Sequence, residues 1–209
     1  MFLSQAALSQ KHAVGSWQLK KAENGISVYS RDALNSKFKE VRSVFLVKTS
    51  LSSVVALLND FDSYTQWVYR CGASSTVKHI SEKEHLHYQS VIAPWPVDNR
   101  DFVVMVKQSQ DPHTKVVTQK GTSVPEACAP VPHHVRIIQF TAQWTITPLN
   151  GGMVSVEYQL LVDPGGNIPA WLVNLAALEG PYDTALAMKE WIFKEKYQKA
   201  LVSYIKEPE

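Results

Sequence analysis

The sequence predicts an α+β fold, in which a large curved antiparallel β-sheet is covered by a long C-terminal α-helix. Residues 136–147 and 154–162 alternate apolar and polar side chains, which is the pattern of strands that bury one face. From Pro169 to near the C-terminus, apolar residues recur instead at helical spacing. Since the sheet and the helix each have one apolar side, packing one on the other would bury both.

The first half of the chain is predicted to contain an amphipathic helix over residues 2–11 followed by three strands. Asn24 and Gly25 form a hairpin-turn signal between the first two strands. The three predicted strands cover residues 17–20, 26–31 and 40–48.

Two short helices are predicted directly after the third strand. Ser50 or Ser52 can cap the first, because a serine hydroxyl accepts a hydrogen bond from a free N–H group of the first turn. Asn59 and Asp60 indicate a break before the second helix, over residues 61–69. Further strands are then predicted over residues 74–80, 85–92, 102–108 and 115–118.

The two long alternating segments are predicted to pair as an antiparallel hairpin, because the turn residues 149–152 join them. The helix that follows should kink or break at Pro181, since proline lacks a backbone N–H group. The apolar face of the hairpin would present Ile138, Phe140, Ala142, Trp144, Ile146, Val154, Val156, Tyr158, Leu160 and Val162.

The composition is that of a globular protein and argues against several functional classes. Of 209 residues, 45% are hydrophobic, and 21 basic against 19 acidic side chains leave a net charge of +2. So small a charge does not favour nucleic acid as a partner. No apolar run approaches the ~20 residues of a membrane span. The GxGxxG, P-loop, GxSxG and HExxH motifs are missing, so no cofactor and no metal are expected.

Two features bear on the cellular compartment without fixing it. Cys71 and Cys128 are too few for a disulfide framework, so free thiols are the default, with one bridge left open. The N-terminus lacks a basic segment before an apolar core and, as written, is not a signal peptide. A cytoplasmic location and an exported, periplasmic one after removal of a leader both stay open.

Four segments of the chain resemble, in the right order, the START family, the steroidogenic-acute-regulatory-related lipid transfer domains of the helix-grip superfamily. The resemblance covers nearly the whole chain, so we expect one domain over residues 1–209 that works as a monomer, similar to stand-alone bacterial members. The four segments are WQL at 17–19 with NGISVYSR at 24–31, FDSYTQW at 61–67, PVDNRDFV at 96–103 and GGNIPAWLVN at 165–174.

This resemblance implies an internal hydrophobic cavity that holds one lipid or sterol-like molecule. It also implies that the C-terminal helix and the loop over residues 124–134 gate access to the cavity, with transient membrane contact during exchange. From periodicity alone, a curved sheet gripping a helix can equally close over a packed core. Large curved sheets do enclose small-molecule sites in other proteins.

Arg100, in the RDF segment, is the strongest candidate ligand-binding residue. A buried guanidinium needs partners, so an internal arginine would anchor a ligand hydroxyl, carboxylate or phosphate. Its counter-ion could instead be Asp98, Glu82 or Glu84, which the sequence leaves open. The other candidate ligand-binding residues are Trp144, Tyr158, Leu172 and Leu175.

For several other residues a purely structural role competes with a functional one. His85 and His87 lie on one face of a strand, and we expect a solvated polar face, with Leu86 and Tyr88 buried. Trp95 is expected either to pack at a corner or to lie at a membrane-docking rim.

A lipid carrier is the favoured function. The alternatives are an enzyme of the same superfamily, of cyclase or hydratase type, and a protein-interaction module with a filled core.

Overall fold

The computed structural model describes residues 14–170, 173–174 and 177–208. The predicted helix over residues 2–11 therefore lies outside the described residues. Ten strands form one sheet in these ranges. They are β1 Gln18–Glu23, β2 Ile26–Asp32, β3 Lys39–Lys48, β4 Cys71–Ser81, β5 Glu84–Val91, β6 Asn99–Gln110, β7 Val117–Ser123, β8 His134–Arg136, β9 Gln139–Leu149 and β10 Met153–Asp163.

The sheet runs in the order β1-β2-β3-β10-β9-β7-β6-β5-β4, with antiparallel pairing between all of these neighbours. The short strand β8 lies off this path and pairs with β6 in parallel. Because β1 and β4 remain as edges, the sheet curves without closing into a barrel. The predicted α+β class and the antiparallel sheet are confirmed.

The hairpin of β9 and β10 has the register that its alternation predicts. Trp144 lies opposite Tyr158, and Ile146 lies opposite Val156. Both Ile146 and Val156 are completely buried, which places this face against the core. The prediction is wrong for Ile138, which is 60% exposed because β9 begins one residue later.

The helices are α1 Leu51–Asn59, α2 Tyr64–Trp67, α3 Glu179–Trp191 and α4 Glu195–Gln198. Ser50 caps α1 as predicted, since its side chain accepts a hydrogen bond from the Ser53 N–H group at 3.0 Å. The Glu207 carboxylate accepts two more from the first turn of α1. It thereby ties the C-terminal segment to this helix, as expected for an anion at a helix N-terminus.

Helix α3 covers the sheet as the sequence predicts, but it ends at Trp191, whereas the predicted helix runs to near the C-terminus. Its buried side, which includes Tyr182, Ala185 and Met188, belongs to the same core as the inner residues of the sheet. The break predicted at Pro181 falls slightly earlier, because α3 begins at Glu179 after a turn. Cys71 and Cys128 are free thiols, which answers the question left open by the sequence.

Candidate functional site

Two adjoining chambers lie between the inner face of the sheet and the helices. The larger, which we call the outer chamber, has a volume of about 240 Å³. Its wall is mostly apolar, with a charged group at Arg100. It is lined by Val68, Tyr69, Gln89, Val91, Arg100, Phe102, Ile137, Phe140, Tyr158, Leu160, Val162, Pro164, Gly180, Pro181 and Thr184.

The smaller, which we call the inner chamber, has a volume of about 60 Å³. Gln89, Phe102, Phe140 and Tyr158 line both chambers and so form the partition between them. The Phe102 and Phe140 rings stack within it, with centroids 4.5 Å apart. The remaining lining residues of the inner chamber are Phe61, Tyr64, His87, Val104, Val106, Gln119, Gly121, Ala142 and Trp144.

Arg100 lies at the start of β6 and is only 7% exposed. Its guanidinium donates hydrogen bonds to the backbone oxygens of Asp98, Pro164 (3.2 Å) and Gly165 (3.4 Å). Within the described ranges it makes no salt bridge to a carboxylate, so none of the expected counter-ions pairs with it. Burial lowers the pKa of Arg100, and the nearby charge of Asp98 partly offsets this. The outer chamber therefore contains a positive charge with unused N–H donors.

The turn after β10 can approach Arg100 because it contains two glycines. Gly165 and Gly166 both have positive φ angles, of 65° and 66°, where other residues are strained. A Cβ atom at Gly165 would lie 3.3 Å from the Val135 side chain, and one at Gly166 would lie 3.4 Å from Arg100 Nη2. The two glycines therefore allow this turn to contact both the end of the 124–134 loop and Arg100.

Asp101, the next residue, does not join this site. Its carboxylate is 1% exposed and accepts two hydrogen bonds from Arg136, from Nε and Nη2, each at 2.9 Å. The same guanidinium donates to the backbone oxygens of Pro125, Cys128 and Ala129, the last two at 3.0 Å. Arg136 therefore joins the 124–134 loop to the sheet. The sequence predicts Arg136 as the first residue of a strand over residues 136–147, whereas it ends β8, and its pairing with Asp101 has no local pattern.

His87 points inward, so the prediction of a solvated face on β5 is wrong. His85, His87 and Gln89 are all buried, whereas Leu86 and Tyr88 are only partly so. The His87 ring stacks on Phe61 with centroids 4.2 Å apart, and its Nδ1 lies 3.2 Å from the Ser75 carbonyl oxygen. Burial lowers the pKa of His87 to about 4. The imidazole is consequently neutral at physiological pH.

The lowered pKa of His87 makes stability depend on pH. In the unfolded chain the ring takes up a proton near its ordinary pKa of 6.5, whereas in the folded chain it does so only near 4. The free energy of unfolding should therefore fall by roughly 3 kcal/mol through this residue as the pH drops from 6.5 to 4. We expect His87→Gln to flatten the pH dependence measured by urea denaturation. The matched exposed control, His113→Gln, should keep the wild-type slope; an equally steep slope in His87→Gln would contradict this account.

Two of the four remaining site predictions lie in the described residues, and both line the chambers. The rings of Trp144 and Tyr158 stack with centroids 4.0 Å apart, which fixes the orientation of the tyrosine. Burial raises the pKa of Tyr158, so its hydroxyl stays protonated. Leu172 and Leu175 lie outside the described residues.

Comparison with known proteins agrees with this architecture. The sequence profile of the START domain matches residues 5–189. The chain belongs to the START domain family. It is 28% identical over 176 residues to an uncharacterized protein of Pseudomonas aeruginosa, covering 83% of this chain and 85% of that protein. It is 31% identical over 189 residues to mouse phosphatidylcholine transfer protein, covering 86% of each.

Solved structures of START domains have the same fold. A STAR-related lipid transfer protein from Xanthomonas axonopodis superposes with a TM-score of 0.79 at 33% identity, over 85% of this chain and 99% of that one. Human StAR-related lipid transfer protein 5 superposes with a TM-score of 0.77 over 84% and 86% of the two chains. At 17% identity, the human protein supports the fold alone.

Trp95 is 92% exposed in this START domain, so its interpretation as a packed corner residue is wrong. It lies in the connection between β5 and β6, whose flanking residues Val91 and Arg100 both line the outer chamber. A hydrogen bond of 3.1 Å from the Ala93 N–H group to the Asn99 side chain closes this connection. Ile92 in the same connection is 50% exposed, and we call these two exposed apolar side chains the apolar tip.

The described residues of the START domain also line other concavities. One of them, about 1170 Å³, is an open groove lined largely by turn residues, such as those of the β6–β7 and β9–β10 connections, at the opposite ends of the strands from Arg100. Among the described residues, no group of three or more histidine, cysteine or acidic side chains could hold a metal ion. Within the same ranges, no helix has the length and apolar character to cross a bilayer.

Proposed function

We propose that this START domain binds one amphipathic lipid in its two chambers and transfers it between membranes. The observation that carries the proposal is the buried Arg100, which faces an apolar chamber with N–H donors to spare and no carboxylate partner in the described structure. An anionic headgroup would supply the missing charge, and its chain would fill the apolar wall. Removing the chain from water contributes about 25 cal/mol per Å² of apolar surface.

The volume of the chambers favours a compact ligand. At about 240 and 60 Å³ they lie at the lower limit of the ~300–1000 Å³ typical of ligand pockets. Mammalian relatives are named for phosphatidylcholine transfer. Two acyl chains of ordinary length exceed the volume present here. We therefore favour an anionic lipid with a single chain or a compact ring system.

Exchange of the ligand requires an opening, which we place at the start of α3. Gly180, Pro181 and Thr184 form part of the outer wall. This end of the helix is tied to Tyr69 by hydrogen bonds of 3.2 Å to Thr184 and 3.0 Å to Glu179, few enough to break transiently. The 124–134 loop forms the other side of the gate, since Val135 at its end packs on the Gly165 turn.

Replacement of Arg100 tests the anchor. Wild-type protein should bind hexadecanoate more tightly than methyl hexadecanoate, which has the same chain without the charge. Charge-assisted hydrogen bonds contribute about 1.5–3 kcal/mol, so Arg100→Leu should reduce this preference at least tenfold. Isothermal titration calorimetry measures both affinities, and Arg31→Leu, which removes a guanidinium that pairs with Glu40 instead, is the matched control. An unchanged preference in folded Arg100→Leu would remove Arg100 from the site.

Trp95 is proposed to insert into the membrane interface during exchange. Its indole is exposed in the connection between Val91 and Arg100, which both line the outer chamber, and amphipathic aromatic rings favour the interface. Burying a large apolar side chain stabilises by about 1.5–3 kcal/mol, so Trp95→Ala should weaken binding to phosphatidylglycerol–phosphatidylcholine vesicles about tenfold. Leu201→Ala is the control, because Leu201 is 95% exposed but follows α4, far along the chain from this tip. Equal vesicle binding by wild type and Trp95→Ala would rule out this contact.

The lining of the chambers supports a carrier over an enzyme. Its described residues include no carboxylate that could act as a general acid or base. His87 lies in the inner chamber, but both of its ring nitrogens have hydrogen-bond partners in the protein. A cyclase or hydratase would need a carboxylate or a histidine nitrogen that is free to reach its substrate.

A further inference from the structure

The inner chamber is lined by more polar side chains than the hydrocarbon chain of a ligand would need. His87, Gln89 and Gln119 are 2%, 8% and 4% exposed, yet all three line it. The Tyr158 hydroxyl makes no hydrogen bond in the part of the chain that the structure describes. Polar groups enclosed without partners cost free energy, and a ligand that satisfies them recovers it.

The hydrogen bonds of His87 determine which atom Gln89 presents to the chamber. The Ser75 carbonyl oxygen, 3.2 Å from Nδ1, can only accept, so Nδ1 carries the proton. Burial keeps the ring neutral, because the pKa of His87 is about 4, and Nε2 is therefore a hydrogen-bond acceptor. The end of the Gln89 amide lies 3.4 Å from Nε2.

Two acceptors would repel each other at this contact, so the amide nitrogen of Gln89 must face Nε2. The two ends of a glutamine amide have nearly the same shape, and the hydrogen-bond network decides between them. The Gln89 carbonyl oxygen then points away from His87 toward the chamber, as an acceptor. The contact between Ser75 and His87 and the contact between His87 and Gln89 together orient the Gln89 amide.

Tyr158 complements this acceptor with a donor. Its ring is held by stacking on Trp144 and its hydroxyl is protonated. Tyr158 and Gln89 both line the partition, where the leading end of a ligand arrives from the outer chamber. Tyr64 does not compete, since its hydroxyl donates to the Leu58 carbonyl oxygen at 2.6 Å.

We propose that the inner chamber recognises a hydroxyl group at the leading end of the ligand, which donates to Gln89 and accepts from Tyr158. This inference rests on the proposed function and narrows its ligand class to a hydroxylated amphiphile. A hydroxyl fits because it both donates and accepts, and because the described lining of the inner chamber contains no carboxylate or cationic side chain to pair with a charge. The volume of about 60 Å³ is that of roughly two waters in the liquid and admits only a small group.

The test compares naphthalene with 2-naphthol, which differ by one hydroxyl and do not need the Arg100 anchor. Calorimetric titration of wild type gives the ratio of their association constants. A ligand hydroxyl that loses a hydrogen-bond partner loses about tenfold in affinity. We expect Tyr158→Phe and Gln89→Leu each to reduce the ratio of 2-naphthol to naphthalene binding by about tenfold, with naphthalene binding retained.

The matched control is Tyr182→Phe, which removes a hydroxyl bonded to Asn24 outside both chambers and should leave the ratio unchanged. An unchanged ratio in both Tyr158→Phe and Gln89→Leu would overturn the inference while leaving the proposed function intact. Failure of both compounds to bind wild type would also overturn the inference, whereas hexadecanoate titration tests the proposed function separately. Independently, the ¹⁵N shifts of His87 should show a protonated Nδ1 and a bare Nε2, and a proton on Nε2 would overturn the orientation of Gln89.

Discussion

Arg136→Leu is expected to lower the free energy of unfolding by about 3–5 kcal/mol, the usual cost of breaking a buried ion pair by removing one partner. The Asp101 carboxylate would remain 1% exposed without its two charged hydrogen bonds. Three backbone oxygens of the 124–134 loop would lose their donor at the same time. The effect should therefore include loosening of the loop as well as loss of stability.

Urea denaturation measures this change, with amide hydrogen exchange to follow the 124–134 loop. At about 2–4 °C per kcal/mol for a chain of this size, Tm should fall by roughly 10 °C. Lys21→Leu is the control, because its pair with Glu23 is exposed and such pairs contribute about 0–1 kcal/mol. The double variant Asp101→Asn/Arg136→Leu should recover part of the loss, since no buried charge is then left unpaired. Equal stability of Arg136→Leu and Lys21→Leu would show that this pair is not what holds the loop.

Val162→Trp is expected to remove ligand binding by filling the outer chamber. Val162 lies on β10 opposite Phe140, and both side chains line the chamber. An indole that takes the place of about 100 Å² of buried ligand surface removes about 2.5 kcal/mol, which is nearly 100-fold in affinity. Because the new ring occupies existing space, the protein should still fold.

The neighbouring variant Leu161→Trp is the matched control for Val162→Trp. Successive residues of a strand point to opposite faces, so a tryptophan at 161 lies outside the chamber. Hexadecanoate titrations should give wild-type affinity for Leu161→Trp and strongly reduced affinity for Val162→Trp. Similar affinities in the two variants would place the ligand elsewhere on the protein.

The fold could be predicted largely because its elements have unambiguous periods. The β9–β10 hairpin alternates over its whole length and ends in a turn containing Gly151 and Gly152, so its register follows from the sequence. The helix cap at Ser50 follows from local chemistry in the same way. In both cases the signal lies within a few residues of the structure that it specifies.

The site was harder to predict because several of its polar residues are buried, whereas hydropathy predicts that polar residues are exposed. On β5 the polar residues His85, His87 and Gln89 are buried, and the last two line the inner chamber, which only the assembled sheet creates. The pairing of Arg136 with Asp101 joins residues 35 positions apart and has no local pattern. Arg100 could be found only through its segment, and its bonds to backbone oxygens in place of a carboxylate depend on the turn after β10.

Native mass spectrometry after exposure to a total lipid extract shows directly whether the chambers hold one lipid. We expect wild type to retain a single added mass of lipid size that is lost on denaturation. The released compound should be a negatively charged, hydroxylated molecule with one chain or compact rings. Val162→Trp should remain free of ligand, and Leu161→Trp should behave as wild type. A ligand-free mass for wild type under every condition, or equal retention by Val162→Trp, would show that the chambers do not hold a lipid.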